Sequence, residues 1–341
     1  MATYGSCGDV LTQHNDKART GAATCESVLS PSAVASGNFG KLFSRTVDGQ
    51  VYAQPLYVSH VAIGEGAPVN VLLVATMSNN LYAFDADDVA ASNPLWTVNL
   101  GPAVPVKDYG AYYADADGSF GVLGTPTIDK DKGIVYVVTA LKQGDGEAST
   151  YTHALNAIGL TDGKPVLGGP VPITGAVAGT SSDAVDGVLN FDSLQHIQRP
   201  GLLLDKGQIV VAFGSHGDGQ PYHGWIMSYD ANTLQQTGVF SSTVDSQGGS
   251  VWQSGQGIAV GDDGSLYAAT ANGFDTDATR ADERAQSLLR LELNPGVQLA
   301  DYFTPANYAA LSDIDADFGS SGPTVIPGSG RVLTGGKGGV L

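Results

Sequence analysis

Three short stretches of this 341-residue chain hold side chains capable of chemistry. The loop from Gly214 to Trp225 carries His216, Asp218 and His223, and imidazoles near a carboxylate suit zinc or copper. Their spacing fits no recognised ligand pattern, and histidines in a glycine-rich loop are ordinarily solvated. Asp313-Ile314-Asp315-Ala316-Asp317 crowds three carboxylates into five positions and reads by itself as a solvated acidic loop. Asp115-Ala116-Asp117-Gly118-Ser119 opens like a calcium loop, yet it lacks the sixth-position glycine and closing glutamate of an EF-hand. No Gly-x-Ser-x-Gly elbow, phosphate-binding loop or dinucleotide fingerprint occurs.

The elements that must position these residues repeat. Ala53-Gln54-Pro55-Leu56-Tyr57-Val58, Gly124-Thr125-Pro126-Thr127-Ile128-Asp129, Arg199-Pro200-Gly201-Leu202-Leu203-Leu204, Gln256-Gly257-Ile258-Ala259-Val260 and Ser321-Gly322-Pro323-Thr324-Val325-Ile326 are versions of one strand opening. Gln54, Thr125, Pro200, Gln256 and Gly322 are equivalent points, roughly 56 to 75 residues apart, which is a blade-sized period. β-rich runs follow each opening: Val71–Thr76 and Leu81–Asp85, Ile134–Val138, Ile209–Phe213, and Ser265–Thr270. Asp85 and Asp230 are expected to fix the turn between third and fourth strands by accepting backbone N–H bonds. Trp96 is expected to pack between neighbouring blades.

This pattern predicts an all-β fold, a β-propeller of four-stranded antiparallel blades with about five blades begun. Residues 1–50 form a polar lead-in, with a short helical turn at Ser30-Pro31-Ser32-Ala33-Val34, and residues 51–341 carry the blades. The segment from Arg331 to Leu341 starts a strand pair without its return. A propeller must close or leave a sheet edge open, so the chain is expected to be an N-terminal fragment of a longer ring.

Composition removes several function classes. A net charge of −18, with 16 Lys and Arg in all, excludes a nucleic-acid partner because phosphate neutralisation needs clustered cations. No stretch approaches 18 apolar residues, so no membrane span is expected. Forty-six glycines suit many short strands joined by tight turns. Cys7 and Cys25, the only cysteines, are placed to bridge or to stay as two small unpaired residues. The start lacks the basic and apolar regions of a signal peptide, and the expectation is a secreted or periplasmic protein whose leader is absent from this sequence.

The blade frame resembles the eight-bladed quinoprotein propellers, the pyrroloquinoline quinone (PQQ) repeat family that includes alcohol dehydrogenases. Asn15-Asp16-Lys17-Ala18-Arg19-Thr20, Leu29-Ser30-Pro31-Ser32-Ala33-Val34 and Phe39-Gly40-Lys41-Leu42 are similar to that family's opening. Val47-Asp48-Gly49-Gln50-Val51-Tyr52-Ala53-Gln54-Pro55-Leu56 resembles a secreted branch of it. The resemblance implies a PQQ-dependent oxidoreductase acting on an alcohol or sugar, with calcium.

It implies Trp252, in Gly248-Gly249-Ser250-Val251-Trp252, as the aromatic floor beneath the quinone. Asn272 matches a calcium ligand, Asp315 the catalytic base, and Lys337 the cation that stabilises the reduced, anionic quinol. Two features depart from the family. Gly219 stands where it carries a calcium-ligating glutamate, and the vicinal cysteine pair that covers the cofactor is absent. The alternative expectation is a non-catalytic secreted propeller that binds a glycan, peptide or partner protein through aromatic loops bearing Tyr112, Tyr113, Tyr222 and Trp225.

Overall fold

The computed structural model describes residues 8–37, 39–113, 118–274 and 283–341, with the side chains of 111–113 excepted. Asp115 and Asp117 of the calcium-like loop therefore lie outside the described residues, as do Cys7 and the rings of Tyr112 and Tyr113. Cys25 is disulfide-bonded, and the sequence holds one other cysteine.

Alternating apolar residues close each repeat into a four-stranded antiparallel meander. Blade one runs through Leu56–Val61, Val69–Ala75, Asn80–Asp85 and Trp96–Asn99. Blade two runs through Thr127–Asp129, Ile134–Gln143, Thr150–Gly159 and Val171–Pro172. Blade three takes Leu203–Asp205, Gln208–Ser215, Trp225–Asp230 and Gln236–Ser241, with His196–Ile197 pairing onto the end of its second strand. Blade four takes Ala259–Val260, Leu266–Ala269, Leu288–Leu293 and Val297–Phe303. A fifth begins with Thr324–Ile326 and Arg331–Leu333. The fold is a partial β-propeller, as the repeat predicts. No helix among the described residues is long and apolar enough to cross a membrane.

The equivalent points of the repeat sit side by side where one blade meets the next. Gln54 N donates to Thr125 Oγ1, Leu202 N to Thr125 O, Gly201 N to Gly255 O, and Gln256 Nε2 to Pro323 O. Between blades the core is apolar. Trp96 bridges blades one and two, its Nε1 donating to Leu160 O at 3.0 Å, with its ring against the Cα of Gly163. The turn aspartates do what their chemistry dictates: Asp85 Oδ1 accepts from the N–H groups of Asp87 and Asp88, and Asp230 Oδ1 from those of Asn232 and Thr233.

The lead-in enters the propeller. Val10 pairs with Tyr57 of blade one, Leu11 O accepts from Ile128 N of blade two, Lys17 O from Val260 N of blade four, and Ala18 O from Val325 N of blade five. Thr12 Oγ1 donates to Leu202 O at the start of blade three. Arg19 is only 1 % exposed, and its guanidinium donates to Thr12 Oγ1, Gln13 O, Leu202 O and Ile258 O. Further on, Pro31–Ala35 forms a single helical turn capped by Ser30 Oγ, which accepts from Ala33 N.

Candidate functional site

In an antiparallel meander the loop between second and third strands and the loop leaving the fourth emerge at the same end of the blade. At that end these loops enclose a cavity of about 580 Å³, lined by Arg199, Asp218, Trp252, Asp315, Asp317 and Lys337 among others. Five connections supply these six residues: those leaving blades two, three and four, and those after the second strands of blades three and five.

Trp252 is fixed by its own hydrogen bond, Nε1 to Ser215 O at 3.0 Å. Its ring lies so close to Gly214 that a Cβ there would come within 2.2 Å of Trp252 Cδ1, so only glycine fits. Asn272 is positioned from beneath. Gly249 N donates to Asn272 O, and Gly248, at φ +97°, comes so near that a Cβ would lie 2.3 Å from the same oxygen.

Asn272, Asp315 and Lys337 meet directly. Asn272 Nδ2 donates to Asp315 Oδ1 at 2.7 Å, and Lys337 Nζ lies 3.0 Å from both Asp315 oxygens. Lys337 Nζ also lies 2.7 Å from Asp317 Oδ2, while Asp317 Oδ1 accepts from Asn272 N at 2.9 Å. The Asp315 side chain is 63 % exposed and that of Asp317 2 %. Burial pushes the Asp317 carboxyl above the usual carboxylate range, against the pull of Lys337. For Lys337, burial alone would lower the pKa, but Asp317 and Asp315 together raise it.

The acidic stretch is therefore not uniformly solvated: Asp313 and Asp315 face solvent, and Asp317 is buried. The chain is pinned just beyond it, where Phe318 N donates to Gln286 Oε1, and Gln286 Nε2 in turn donates to Asn272 Oδ1 at 2.7 Å.

The structure does not assemble His216, Asp218 and His223 into a metal site, and no group of three metal-ligating side chains is found among the described residues. His216 stacks on Tyr109 with ring centroids 3.9 Å apart. His223 is fully buried, its Nε2 beside the Asp183 carboxylate and its Nδ1 beside Thr243 O. These histidines are held by the fold rather than solvated. Asp218 does face the cavity, whereas Gly219 turns its carbonyl to Gln195 Nε2. Tyr222 and Trp225 are fully buried and offer no ring to a ligand.

Sequence reasoning missed Gln286, Arg199 and the inward turn of Asp317. Arg199 carried a signal, because it precedes the repeat point Pro200 and so sits where a blade's first strand begins. Gln286 carried none: its place depends on a positive φ of 50° and on contacts from two other loops.

The donor set accepts one family ligand and not the other. An indole fixed in place, two cations at Arg199 and Lys337, and a cavity in the size range of small-molecule sites fit a planar, anionic quinone such as PQQ. Calcium takes about six to eight oxygen ligands. Here the Asp315 and Asp317 carboxylates are neutralised by the Lys337 ammonium, Asn272 Oδ1 already accepts from Gln286 Nε2, and Gly219 has no side chain to ligate. The residues present do not fit calcium.

No protein-family model matches the sequence, and no curated protein matches it. Among solved structures the chain matches the crystal structure of quinohemoprotein alcohol dehydrogenase from Comamonas testosteroni, with a TM-score of 0.59 and 17 % identity over 96 % of this chain and 45 % of that one. A europium-containing methanol dehydrogenase matches with a TM-score of 0.47 and 14 % identity, over 88 % of this chain and 49 % of that one. The Dos1 propeller matches with a TM-score of 0.33 and 10 % identity, over 71 % and 47 %. The first likeness defines the class: the chain has a quinoprotein-like β-propeller fold. It spans about half the length of each of these three structures.

Proposed function

We propose that this chain forms the cofactor-binding part of an exported quinoprotein-type oxidoreductase that oxidises a small alcohol or sugar. The observation that carries the reading is the convergence of Trp252, Asp315 and Lys337 on one cavity. PQQ, when bound, would supply the two-electron acceptor. Trp252 would offer its ring to the cofactor's plane, Arg199 would attract its carboxylates, and Lys337 would meet developing negative charge. Asp315, exposed to the cavity, takes the proton of a substrate hydroxyl at a carboxylate oxygen, and Asn272 and Lys337 hold that carboxylate in place. Export accords with the disulfide at Cys25, which requires an oxidising compartment.

The alternative, a non-catalytic propeller that grips a glycan, peptide or protein, loses the two aromatic residues Tyr222 and Trp225 to the interior. The test is dye reduction by the full-length protein with PQQ and a panel of alcohols and sugars, with and without calcium. Turnover that falls about a hundredfold or more in Asp315→Asn supports the reading. Neither quinone binding nor turnover in any condition removes it.

A further inference from the structure

The cavity contains a cation of its own. Every N–H of the Lys337 ammonium has an acceptor: Asp315 Oδ1, Asp315 Oδ2 and Asp317 Oδ2, at 3.0, 3.0 and 2.7 Å. The remaining oxygens of Asn272 and Asp317 also have donors from within the protein. Asn272 Oδ1 accepts from Gln286 Nε2, and Asp317 Oδ1 accepts from Asn272 N. A divalent ion entering here would have to stand beside an ammonium of like charge and draw Asp315 and Asp317 away from it, with no glutamate at position 219 in compensation.

We infer that Lys337 acts at the ligand's carbonyl without a divalent cation beside it, so that the cavity binds its planar, anionic ligand in a metal-free form. The ligand's identity rests on the function proposed above, but the absence of a calcium requirement does not. One N–H of Lys337 passes from a carboxylate to the ligand's carbonyl oxygen, and the other two stay on Asp315 and Asp317. The ammonium then does what a bound calcium would do for that carbonyl: it places positive charge against it. Gln286 is the second component, because its amide already engages Asn272 Oδ1.

Calorimetric titration of calcium chloride into EDTA-stripped, full-length protein tests this directly. The wild type is expected to bind no stoichiometric calcium at millimolar concentration and to keep its melting temperature. Lys337→Gln, which leaves Asp315 and Asp317 without their cation, is expected to bind one calcium per chain at least about tenfold more tightly than the wild type. One equivalent of calcium on the wild type overturns the inference, and so does a folded Lys337→Gln that takes up none. A parallel titration with PQQ, followed by tryptophan fluorescence, is expected to give the same affinity in EDTA and in calcium. Binding that needs calcium overturns the inference; failure to bind PQQ in either buffer counts against the function instead, and the calcium titration still decides this point.

Discussion

Arg19 and Lys337 are both cations held by several oxygens, and their surroundings assign them different work. Arg19 is fully buried and donates to a hydroxyl and three carbonyl oxygens, with Asp16 as a charge nearby. Burial lowers its pKa to about 10, so it stays charged at neutral pH. Lys337 has a side chain 45 % exposed, lines a cavity and faces two carboxylates. A cation saturated by neutral backbone acceptors locks chain segments together. A cation shared between a buried and an exposed carboxylate, with one side open, can hand one of its N–H groups to something that arrives.

Substitutions can break this contrast. Arg19→Ala strands acceptors from the lead-in and from blades three and four, and is expected to cost about 3 to 5 kcal/mol, read from the denaturant midpoint. Arg19→Lys is expected to recover little, since an ammonium cannot reproduce the guanidinium fork. If Arg19→Ala costs under about 1 kcal/mol, the keystone reading of Arg19 is wrong.

The interior's refusal of other charge can be tested with acid. Burial lowers the pKa of His153 to about 3 and that of His196 to about 4. Between those values and the ordinary 6.5, the unfolded chain binds protons that the folded chain does not, so stability falls as pH drops below 6.5. From roughly pH 6.5 to 5.5 the loss is expected to reach about 2 kcal/mol for the pair. His153→Phe should flatten the urea-midpoint profile over this range; an unchanged slope would show that His153 is not the group responsible.

Lys337→Met is expected to cost only about 1 to 2 kcal/mol of stability, because Asp317, already raised by burial, can take up a proton once its partner is gone. The sign follows: a carboxyl with a raised folded pKa gains stability as pH falls, so the deficit of this variant should shrink in mild acid. A deficit that grows with acidity would contradict the pairing. The smallest effect is expected at Asp85→Ala, about 1 kcal/mol by thermal melting, for the loss of two backbone hydrogen bonds at an exposed turn.

Local chemistry made much of the fold legible. Asp85 and Asp230 fix their turns, Ser30 caps its helical turn, and Trp96 joins two blades, because each depends on neighbours close in sequence or on one repeated contact. The strand openings were legible for the same reason: a repeat brings equivalent residues together by symmetry. In the site, the match of Asn272, Asp315 and Lys337 to a family pattern named three residues that the structure places within hydrogen-bonding distance.

What could not be read was burial set by distant partners. Tyr222 and Trp225 look like loop aromatics until the packing of blades two to four encloses them. Asp317 differs from Asp315 in the sequence only by position, yet one is buried and the other is not. The lead-in looked like an appendage because its polar groups find their partners on strands far along the sequence.

That threading has a temporal consequence. Thr324 Oγ1 donates to Arg19 O across 305 residues of sequence, and Ala18 O waits for Val325. At about 5 to 20 residues per second, a ribosome would take roughly 15 to 60 s to deliver the last partner after the first has emerged. The segment around Ala18 and Arg19 is thus made well before its last partner, and must stay unclaimed by anything else until that partner arrives.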